Sequence, residues 1–302
     1  MKVFLIGGES AGMQLLRWLS DGPHQLVGAA VEEPDDTRRV NLTRVAQRLG
    51  VDTWAARRVR DAAFAEEVPA CDVLINAHSL HIVDPAILDV PKVGAFNLHP
   101  GALPEYAGLN SASWALYHGR AEHGVTLHHM AAGIDTGDIA YQRRFPITDS
   151  DTALTLNAKS VRLGLELIED LLHDATLGTV PSLPQDLAQR QYFGREVPED
   201  GRLSWDRPAA EIERFVRACD FVPFESPWGH PRTELDGVPV EIAKATATPE
   251  PCDAVPGDVG TTGHEGVRVA CADSWMAVET VRVSGSLVDA RRVLKRGQRL
   301  CG

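Results

Sequence analysis

An asparagine, a histidine and an aspartate near the middle of the chain are the side chains best suited to chemistry. Residues 93–98 form a short apolar run that ends in polar residues, with Asn97 and His99 at its end, and Asp135 lies in the segment at residues 134–138. Together they offer an amide, an imidazole with a reference pKa of about 6.5, and a carboxylate. These groups can move an acyl group onto an amine without a metal or a covalent intermediate.

Each of the three side chains has a predicted role in such a transfer. Asn97 offers an NH2 donor for a developing oxyanion, and loss of one such donor typically costs on the order of 10²–10³ in rate. His99 can accept a proton and pass it on, and Asp135, if it lies nearby, would favour the charged imidazole and orient its ring. The residues leave open whether His99 or Asp135 acts as general acid, as general base or as electrostatic support.

The elements that must position these groups alternate between short apolar runs and segments with helical spacing. The run at residues 93–98 has the pattern of a buried parallel strand, and side chains two apart on a strand share a face. The predicted strands are residues 2–6, 25–31 and 72–76, and the predicted helices are residues 13–19, 40–49, 111–118 and 152–173. This alternation predicts an α/β fold with a parallel sheet, whose site lies at the carboxyl ends of its strands.

The C-terminal part of the chain has a different pattern. Residues 177–202 are rich in proline and glycine and predict a linker. Beyond it, a helix at residues 208–219 and strands at 238–244, 267–270 and 276–283 predict a small β-barrel. We therefore divide the chain into a catalytic domain (residues 1–185), a linker (186–204) and a C-terminal domain (205–302).

The composition indicates the cellular compartment of the protein and which kinds of binding partner to expect. The five cysteines are widely scattered and form no Cys-x-x-Cys pair, which favours reduced thiols in the cytoplasm and disfavours a structural zinc site. No segment approaches the ~18–20 apolar residues that cross a bilayer, so no membrane partner is expected. The net charge of −12 disfavours a polyanionic partner such as tRNA without excluding it.

A glycine cluster follows the first predicted strand. Gly7, Gly8 and Gly12 lack the spacing of a dinucleotide-binding loop, so a tight turn is the better interpretation. A functional alternative is that Glu9 and Ser10 border the pocket of the amine acceptor.

Four motifs occur in order between residues 96 and 139. They are Asn97-x-His99, Leu103-Pro104, Gly124-Val125-Thr126 and Asp135-Thr136-Gly137. In this order and spacing they resemble the 10-formyltetrahydrofolate-dependent formyltransferases. That superfamily includes methionyl-tRNA formyltransferase, glycinamide ribonucleotide transformylase, sugar N-formyltransferases and formylating modules of peptide synthetases, and the chain most resembles the formyltransferases of peptide and siderophore biosynthesis. The resemblance implies a Rossmann-like catalytic domain, an OB-type barrel at the C-terminus and N10-formyltetrahydrofolate as formyl donor, with no metal.

The resemblance also implies a set of site residues. Asn97, His99 and Asp135 would be catalytic, and His128 aligns with a histidine that is common in its strand. Two loops would form the walls of the donor pocket, and their residues are Leu80, His81, Ile82, Ala132, Ile134 and Asp138. The residues expected near the acceptor are Glu9, Ser10, Tyr106 and Asn110.

The acceptor is predicted from two positions at which the chain differs from the methionyl-tRNA formyltransferases. Those enzymes usually carry Arg-Gly where Ala107-Gly108 stands here, and a basic insertion where residues 31–39 hold four acids against two arginines. We therefore predict formyl transfer to an amine of a small or carrier-linked substrate, such as an aminoacyl thioester, N-hydroxyornithine or an amino sugar. The alternatives are methionyl-tRNA formyltransferase, formyltetrahydrofolate hydrolase and, as the least favoured, a folate-binding protein without activity. The sequence does not indicate an oligomeric state.

Overall fold

A computed structural model describes residues 1–32 and 42–302, and at Glu9 it describes the backbone alone. The chain forms two compact units, each built from three segments. The first consists of Met1–Gly108, Gly124–Phe145 and Lys159–Tyr192, and the second of Leu109–His123, Pro146–Ala158 and Phe193–Gly302. Most of the acidic stretch at residues 31–39 and the start of the helix predicted at 40–49 lie outside the described residues.

The elements up to residue 193 are a mixture of strands and helices. In chain order they are β1 (Lys2–Gly7), α1 (Glu9–Asp21), β2 (Gln25–Val31), α2 (Leu42–Arg48), β3 (Thr53–Ala55), β4 (Val73–Ala77), α3 (Pro85–Leu88), β5 (Gly94–His99), β6 (Ala107–Gly108), α4 (Ser111–Tyr117), β7 (Glu122–His129), β8 (Ile139–Pro146), α5 (Ala153–Leu177) and β9 (Tyr192–Phe193).

The first unit is built on a sheet with strand order β3-β2-β1-β4-β5-β7-β8. The pairings from β3 to β5 are parallel, as the alternation predicts. β7 differs, because it runs antiparallel to β5 and places His128 opposite Asn97 and Thr126 opposite His99. Hydrophobic periodicity locates a strand but not its direction, so the sequence did not predict this reversal.

Close packing of α1 on the sheet explains the glycine cluster. A Cβ at Gly12 would lie 2.9 Å from backbone atoms of Gly7, and a Cβ at Gly8 would lie 2.5 Å from the carbonyl oxygen of His78. α1 contributes buried apolar residues, among them Leu15 and Leu16, to the hydrophobic core that it forms with the sheet. Burial of each such side chain contributes roughly 1.5–3 kcal/mol to the free energy of folding. The interpretation of the glycines as a tight turn therefore has a packing reason.

The second unit holds a separate antiparallel sheet. Its elements beyond residue 193 are α6 (Ala209–Ala218), β10 (Arg232–Leu235), β11 (Val238–Pro251), β12 (Val259–Gly263), β13 (Gly266–Ala270), β14 (Ser274–Val283), β15 (Ser286–Asp289), α7 (Ala290–Val293) and β16 (Leu300–Cys301). The strand order is β12-β13-β14-β11-β10-β16, and β15 pairs with β14. β11 is longer than the strand predicted at residues 238–244, because shifts of register let it stay paired with β14 as far as Pro251.

Buried apolar residues from the strands and from α6 fill the core of this second unit. Ile212 of α6, Val240 of β11 and Val278 of β14 belong to one cluster. Among the described residues, no helix has the length and apolar character needed to span a membrane.

Candidate active site

Strand register lines up three polar side chains across the first sheet. Asn76 of β4 pairs with Asn97 of β5, and Asn97 pairs with His128 of β7. The Nδ2 atom of Asn76 donates to Oδ1 of Asn97 over 2.9 Å. The Nδ2 atom of Asn97 lies 3.0 Å from Nε2 of His128. The two contacts fix the orientation of the Asn97 amide, with its oxygen toward β4 and its NH2 toward β7.

Backbone carbonyls fix the tautomers of two histidines. Nε2 of His99 lies 2.6 Å from the carbonyl oxygen of Tyr106, and because a carbonyl only accepts, Nε2 must carry a hydrogen. The other ring nitrogen, Nδ1, lies 3.5 Å from Oδ2 of Asp135. In the same way Nδ1 of His128 donates to the carbonyl of His129 over 2.8 Å. Nδ1 of His99 is therefore the atom that can gain or release a proton beside the carboxylate.

Asp135 lies at the centre of the cluster and is 8% exposed. Its Oδ1 lies 3.3 Å from Nδ2 of Asn97 and 3.3 Å from Nε2 of His128. Its Oδ2 accepts from the backbone N–H of Gly108 over 2.8 Å. Burial raises the pKa of this carboxyl, but the charge of His99, the contact with His128 and the Gly108 amide together hold the pKa well below its usual range. Asp135 is therefore a carboxylate at neutral pH.

The loop that carries Asp135 has a constrained backbone. Asp135 has a φ of 54°, in the left-handed region that few residues other than glycine adopt. A Cβ at Gly137 would lie only 1.9 Å from the carbonyl oxygen of His129, so this position requires glycine. This close approach is the structural reason for the Asp-x-Gly motif.

The apolar side chains predicted for the donor pocket are exposed to solvent. Leu80 is 72% exposed and Ile82 is 63% exposed, both in the loop after β4. Ile134, in the loop after β7, is 44% exposed, and Ala132 in the same loop is also exposed. Burial of such side chains against a ligand would be favourable, so the two loops have the surface that binding of an apolar ring system requires.

Two other predicted donor residues are held by neighbouring side chains. Nε2 of His81 lies 3.4 Å from Oε2 of Glu32, which also accepts from Ser79 through Oε1 over 3.1 Å. Oδ2 of Asp138 accepts from the hydroxyl of Ser182 over 2.7 Å. Both side chains thus help to fix their loops.

The residues predicted for the acceptor differ in their surroundings. Ser10 is exposed on α1, and Glu9 begins that helix, with a side chain outside the described part of the structure. Tyr106 is buried, and its carbonyl contacts His99. Asn110 belongs to the second unit, where it precedes α4 with a φ of 56°.

Sequence reasoning gave no role to three groups at this site. They are the side chain of Asn76, the backbone N–H of Gly108 and the imidazole of His78. Burial, followed by the nearby charge of His99, lowers the pKa of His78 to about 4, so this ring is neutral at pH 7. The position of Asn76 at the end of a predicted strand was a signal for its role, whereas a backbone contact such as that of Gly108 leaves no signature in side-chain chemistry.

Within residues 1–32 and 42–302, no group of three or more histidine, cysteine, aspartate or glutamate side chains is placed to hold a metal ion.

The cluster of Asn97, His99 and Asp135 combines an ionised carboxylate, an imidazole of fixed tautomer and an oriented amide. This arrangement can take a proton from a nucleophile and stabilise the charge that develops in an acyl transfer.

Comparison with known families gives two matches. The family model described as formyl transferase matches residues 3–171. A second model, described as the C-terminal domain of formyl transferase, matches residues 197–297. Asn97, His99 and Asp135 all lie within the first match.

Solved structures with the same fold include several formyltransferases. An N-formyltransferase from Helicobacter canadensis, in complex with folinic acid and dTDP-3-aminofucose, is 21% identical with a TM-score of 0.72, over 92% of this chain and 98% of that one. WlaRD, a sugar 3N-formyl transferase, is 20% identical with a TM-score of 0.70, over 92% of this chain and 97% of that one. HypX from Aquifex aeolicus, in complex with tetrahydrofolic acid, is 19% identical with a TM-score of 0.69, over 97% of this chain and 46% of that one.

Proposed function

The chain belongs to the formyl transferase family, and on that premise we propose that it transfers the formyl group of N10-formyltetrahydrofolate to the amine of a small or carrier-linked substrate. The observation that carries the proposal is the buried Asp135 carboxylate, 3.5 Å from Nδ1 of His99 and 3.3 Å from the amide nitrogen of Asn97. The folates held by two structural neighbours support the choice of donor.

In the proposed reaction the amine nitrogen attacks the formyl carbon, and the electrons of the carbonyl double bond move to its oxygen. The amine proton passes to Nδ1 of His99, because Nε2 is already committed to the Tyr106 carbonyl. Asp135 stabilises the resulting imidazolium, and the NH2 group of Asn97 stabilises the oxyanion. Collapse breaks the bond between carbon and N10, and N10 takes the proton that Nδ1 of His99 received from the amine, which gives a formamide, tetrahydrofolate and a neutral His99.

The donor would lie between the two loops that carry exposed apolar side chains. We propose that Leu80, Ile82, Ala132 and Ile134 contact its ring system, with His81 and Asp138 supporting the loops. The residues proposed near the acceptor remain Glu9, Ser10, Tyr106 and Asn110, and the carbonyl of Tyr106 also holds Nε2 of His99.

An amino sugar is the acceptor to test first, because two structural neighbours are an N-formyltransferase with a bound nucleotide-linked amino sugar and a sugar 3N-formyl transferase. Aminoacyl thioesters and N-hydroxyornithine remain in the proposed class. The net charge of −12 continues to disfavour tRNA.

The proposal also covers the fold of the C-terminal domain, the domain limits and the cellular location. We propose an OB-type barrel for the C-terminal domain, which the antiparallel order of its strands supports. We propose domain limits at residues 1–185, 186–204 and 205–302. A cytoplasmic location is supported by five cysteines that form no disulfide.

The proposal is tested by measuring tetrahydrofolate release from N10-formyltetrahydrofolate, with no amine and with a panel of nucleotide-linked amino sugars, aminoacyl thioesters, hydroxylated diamines and charged initiator tRNA. Release that requires an amine from the first three groups supports the proposal. Release that requires charged tRNA would replace the proposed acceptor, and release without any amine would indicate a hydrolase. The matched control is Asp135→Asn, which keeps the size of the side chain and removes its charge.

A further inference from the structure

The segment between the two family matches lies against the loop that carries Asp135. Residues 181–190, which we call the clamp segment, follow α5 and lie outside both matched ranges. Leu183 exchanges two backbone hydrogen bonds with Ile139, over 2.8 and 2.9 Å. The carbonyl of Pro181 accepts from Nε2 of His129 over 2.9 Å. The clamp segment is therefore anchored at the point where the loop leaves β7 and enters β8.

Gln185 makes the central contact of the clamp segment. Its Nε2 atom donates to the carbonyl oxygen of Asp135 over 3.1 Å and to that of Gly137 over 2.5 Å. Both hydrogens of one amide group are used, and they hold the backbone on either side of Thr136. A primary amide is the smallest neutral side chain that can donate twice from a single atom.

Arg190 supports the preceding turn of the same loop. Its guanidinium donates to the carbonyl of Ile134 over 2.9 Å and lies over the ring of Tyr192 at 5.0 Å. Carbonyl groups at positions 134, 135 and 137 are thus all held by side chains from the clamp segment, which lie outside the loop itself.

The loop needs such support because it keeps Asp135 in an unfavourable conformation. A left-handed backbone is unfavourable for a residue with a Cβ. The carboxylate must also stay within reach of His99, His128 and the Gly108 amide, because a buried charge without these partners would be expensive. The fixed carbonyls at positions 134, 135 and 137 hold the backbone from which the Asp135 side chain extends.

We propose that Gln185 is a positioning residue for formyl transfer, which acts by holding the Asp135 loop so that the carboxylate meets Nδ1 of His99. This inference rests on the proposed function. The amide of Gln185 donates to the backbone of the Asp135 loop, so it would act on the cluster through that loop.

The first test compares Gln185→Ala and Gln185→Glu with Gln189→Ala. Gln185→Glu keeps the shape of the side chain and replaces both donated hydrogens with an oxygen that repels the two carbonyls. Gln189 lies in the same segment, and its amide contacts Asp186 at 2.8 Å, not the loop. We expect kcat to fall about 10- to 100-fold in both Gln185 variants, by loss of positioning, with the amine KM within about two-fold of wild type. Gln189→Ala should leave both constants unchanged.

A double-mutant cycle separates positioning from a general loss of structure. If Gln185 acts through Asp135, then Gln185→Ala in an Asp135→Asn background should reduce kcat by less than about three-fold more. If the kcat loss of the double variant equals the product of the two single losses, the inference is overturned. A wild-type kcat in both Gln185 variants would also overturn it.

Hydrogen exchange gives a readout that does not depend on activity. The N–H of Gly108 donates to Oδ2 of Asp135, so its exchange rate reports on the position of the carboxylate. We expect exchange about ten-fold faster in Gln185→Ala and unchanged in Gln189→Ala. Unchanged exchange in both variants would overturn the inference even if the wild type is active. An inactive wild type with faster exchange in Gln185→Ala would contradict the proposed function alone.

Discussion

The direction of individual hydrogen bonds decides what each side chain of the proposed catalytic cluster can do. The Tyr106 carbonyl occupies Nε2 of His99, which directs proton exchange to Nδ1. Oδ1 of Asn97 accepts from Asn76 on β4, so the NH2 of Asn97 is directed toward Asp135 and away from β4. The contacts of His99 with the Tyr106 carbonyl and of Asn97 with Asn76 and Asp135 thus define the arrangement. The Asp135 carboxylate lies beside one nitrogen that can exchange a proton, Nδ1 of His99.

Replacement of Asp135 by asparagine should change how stability depends on pH. The pKa of this carboxyl lies below its usual range in the folded state, so the folded protein binds fewer protons than the unfolded chain near pH 4. The carboxylate therefore contributes stability above an unfolded pKa of about 4, and this contribution is lost as pH falls toward the folded pKa. Between about pH 5 and pH 3, the free energy of unfolding should fall more steeply for wild type than for Asp135→Asn.

This comparison is made by urea denaturation at several pH values. Asp89→Asn is the control, because Asp89 is exposed at the end of α3, and its curve should run parallel to that of wild type. Parallel curves for wild type and Asp135→Asn would contradict the assignment of Asp135 as an ionised, partnered group.

A second prediction concerns Asn76, which holds the oxygen of the Asn97 amide. Asn76→Leu preserves side-chain size but removes the donor that lies 2.9 Å from that oxygen. The amide of Asn97 then loses its fixed orientation, and we expect kcat to fall about ten-fold, the cost of roughly one net hydrogen bond at 1.4 kcal/mol. Steady-state kinetics measure the change, and an unaltered kcat at saturating donor and amine would show that Asn97 needs no such support.

Among the elements, the two loops after β4 and β7 are the ones we propose to bind the donor. Leu80→Ser removes an apolar side chain that is 72% exposed without donor. Because burial of a leucine contributes roughly 1.5–3 kcal/mol, the donor Kd should rise about 10- to 100-fold, as measured by fluorescence titration with 5-formyltetrahydrofolate as a stable analogue. Leu177→Ser is the matched control, since Leu177 is 63% exposed at the end of α5. Equal Kd values for Leu80→Ser and wild type would remove Leu80 from the donor site.

The sequence predicted those elements whose periodicity depends on burial. The strand that ends at Asn97 and His99 and the parallel order from β3 to β5 follow from apolar runs alternating with helices. The antiparallel direction of β7 did not, since a strand has the same period in either direction. The contacts of Gln185 and Tyr106 could not be predicted either, because they involve backbone carbonyls that every residue type provides.

For the whole molecule, the matched family ranges and the charge restrict the function together. The two models cover residues 3–171 and 197–297, and the predicted family is confirmed by them. The net charge of −12 repels a polyanionic acceptor over long distances, an effect that falls with ionic strength. A small or carrier-linked amine avoids most of this penalty, which is why we place charged tRNA among the alternatives.

The central claim is that the formyl group passes directly to an amine at the cluster of Asn97, His99 and Asp135. The measurement that tests it most directly follows a ¹³C-labelled formyl group from N10-formyltetrahydrofolate by NMR, with wild type and His99→Ala, in the presence of the best amine from the panel. We predict that labelled formamide and tetrahydrofolate form in equal amounts, and that His99→Ala lowers the rate by about 10²–10⁴. Labelled formate in place of formamide, or an undiminished rate in His99→Ala, would contradict the claim.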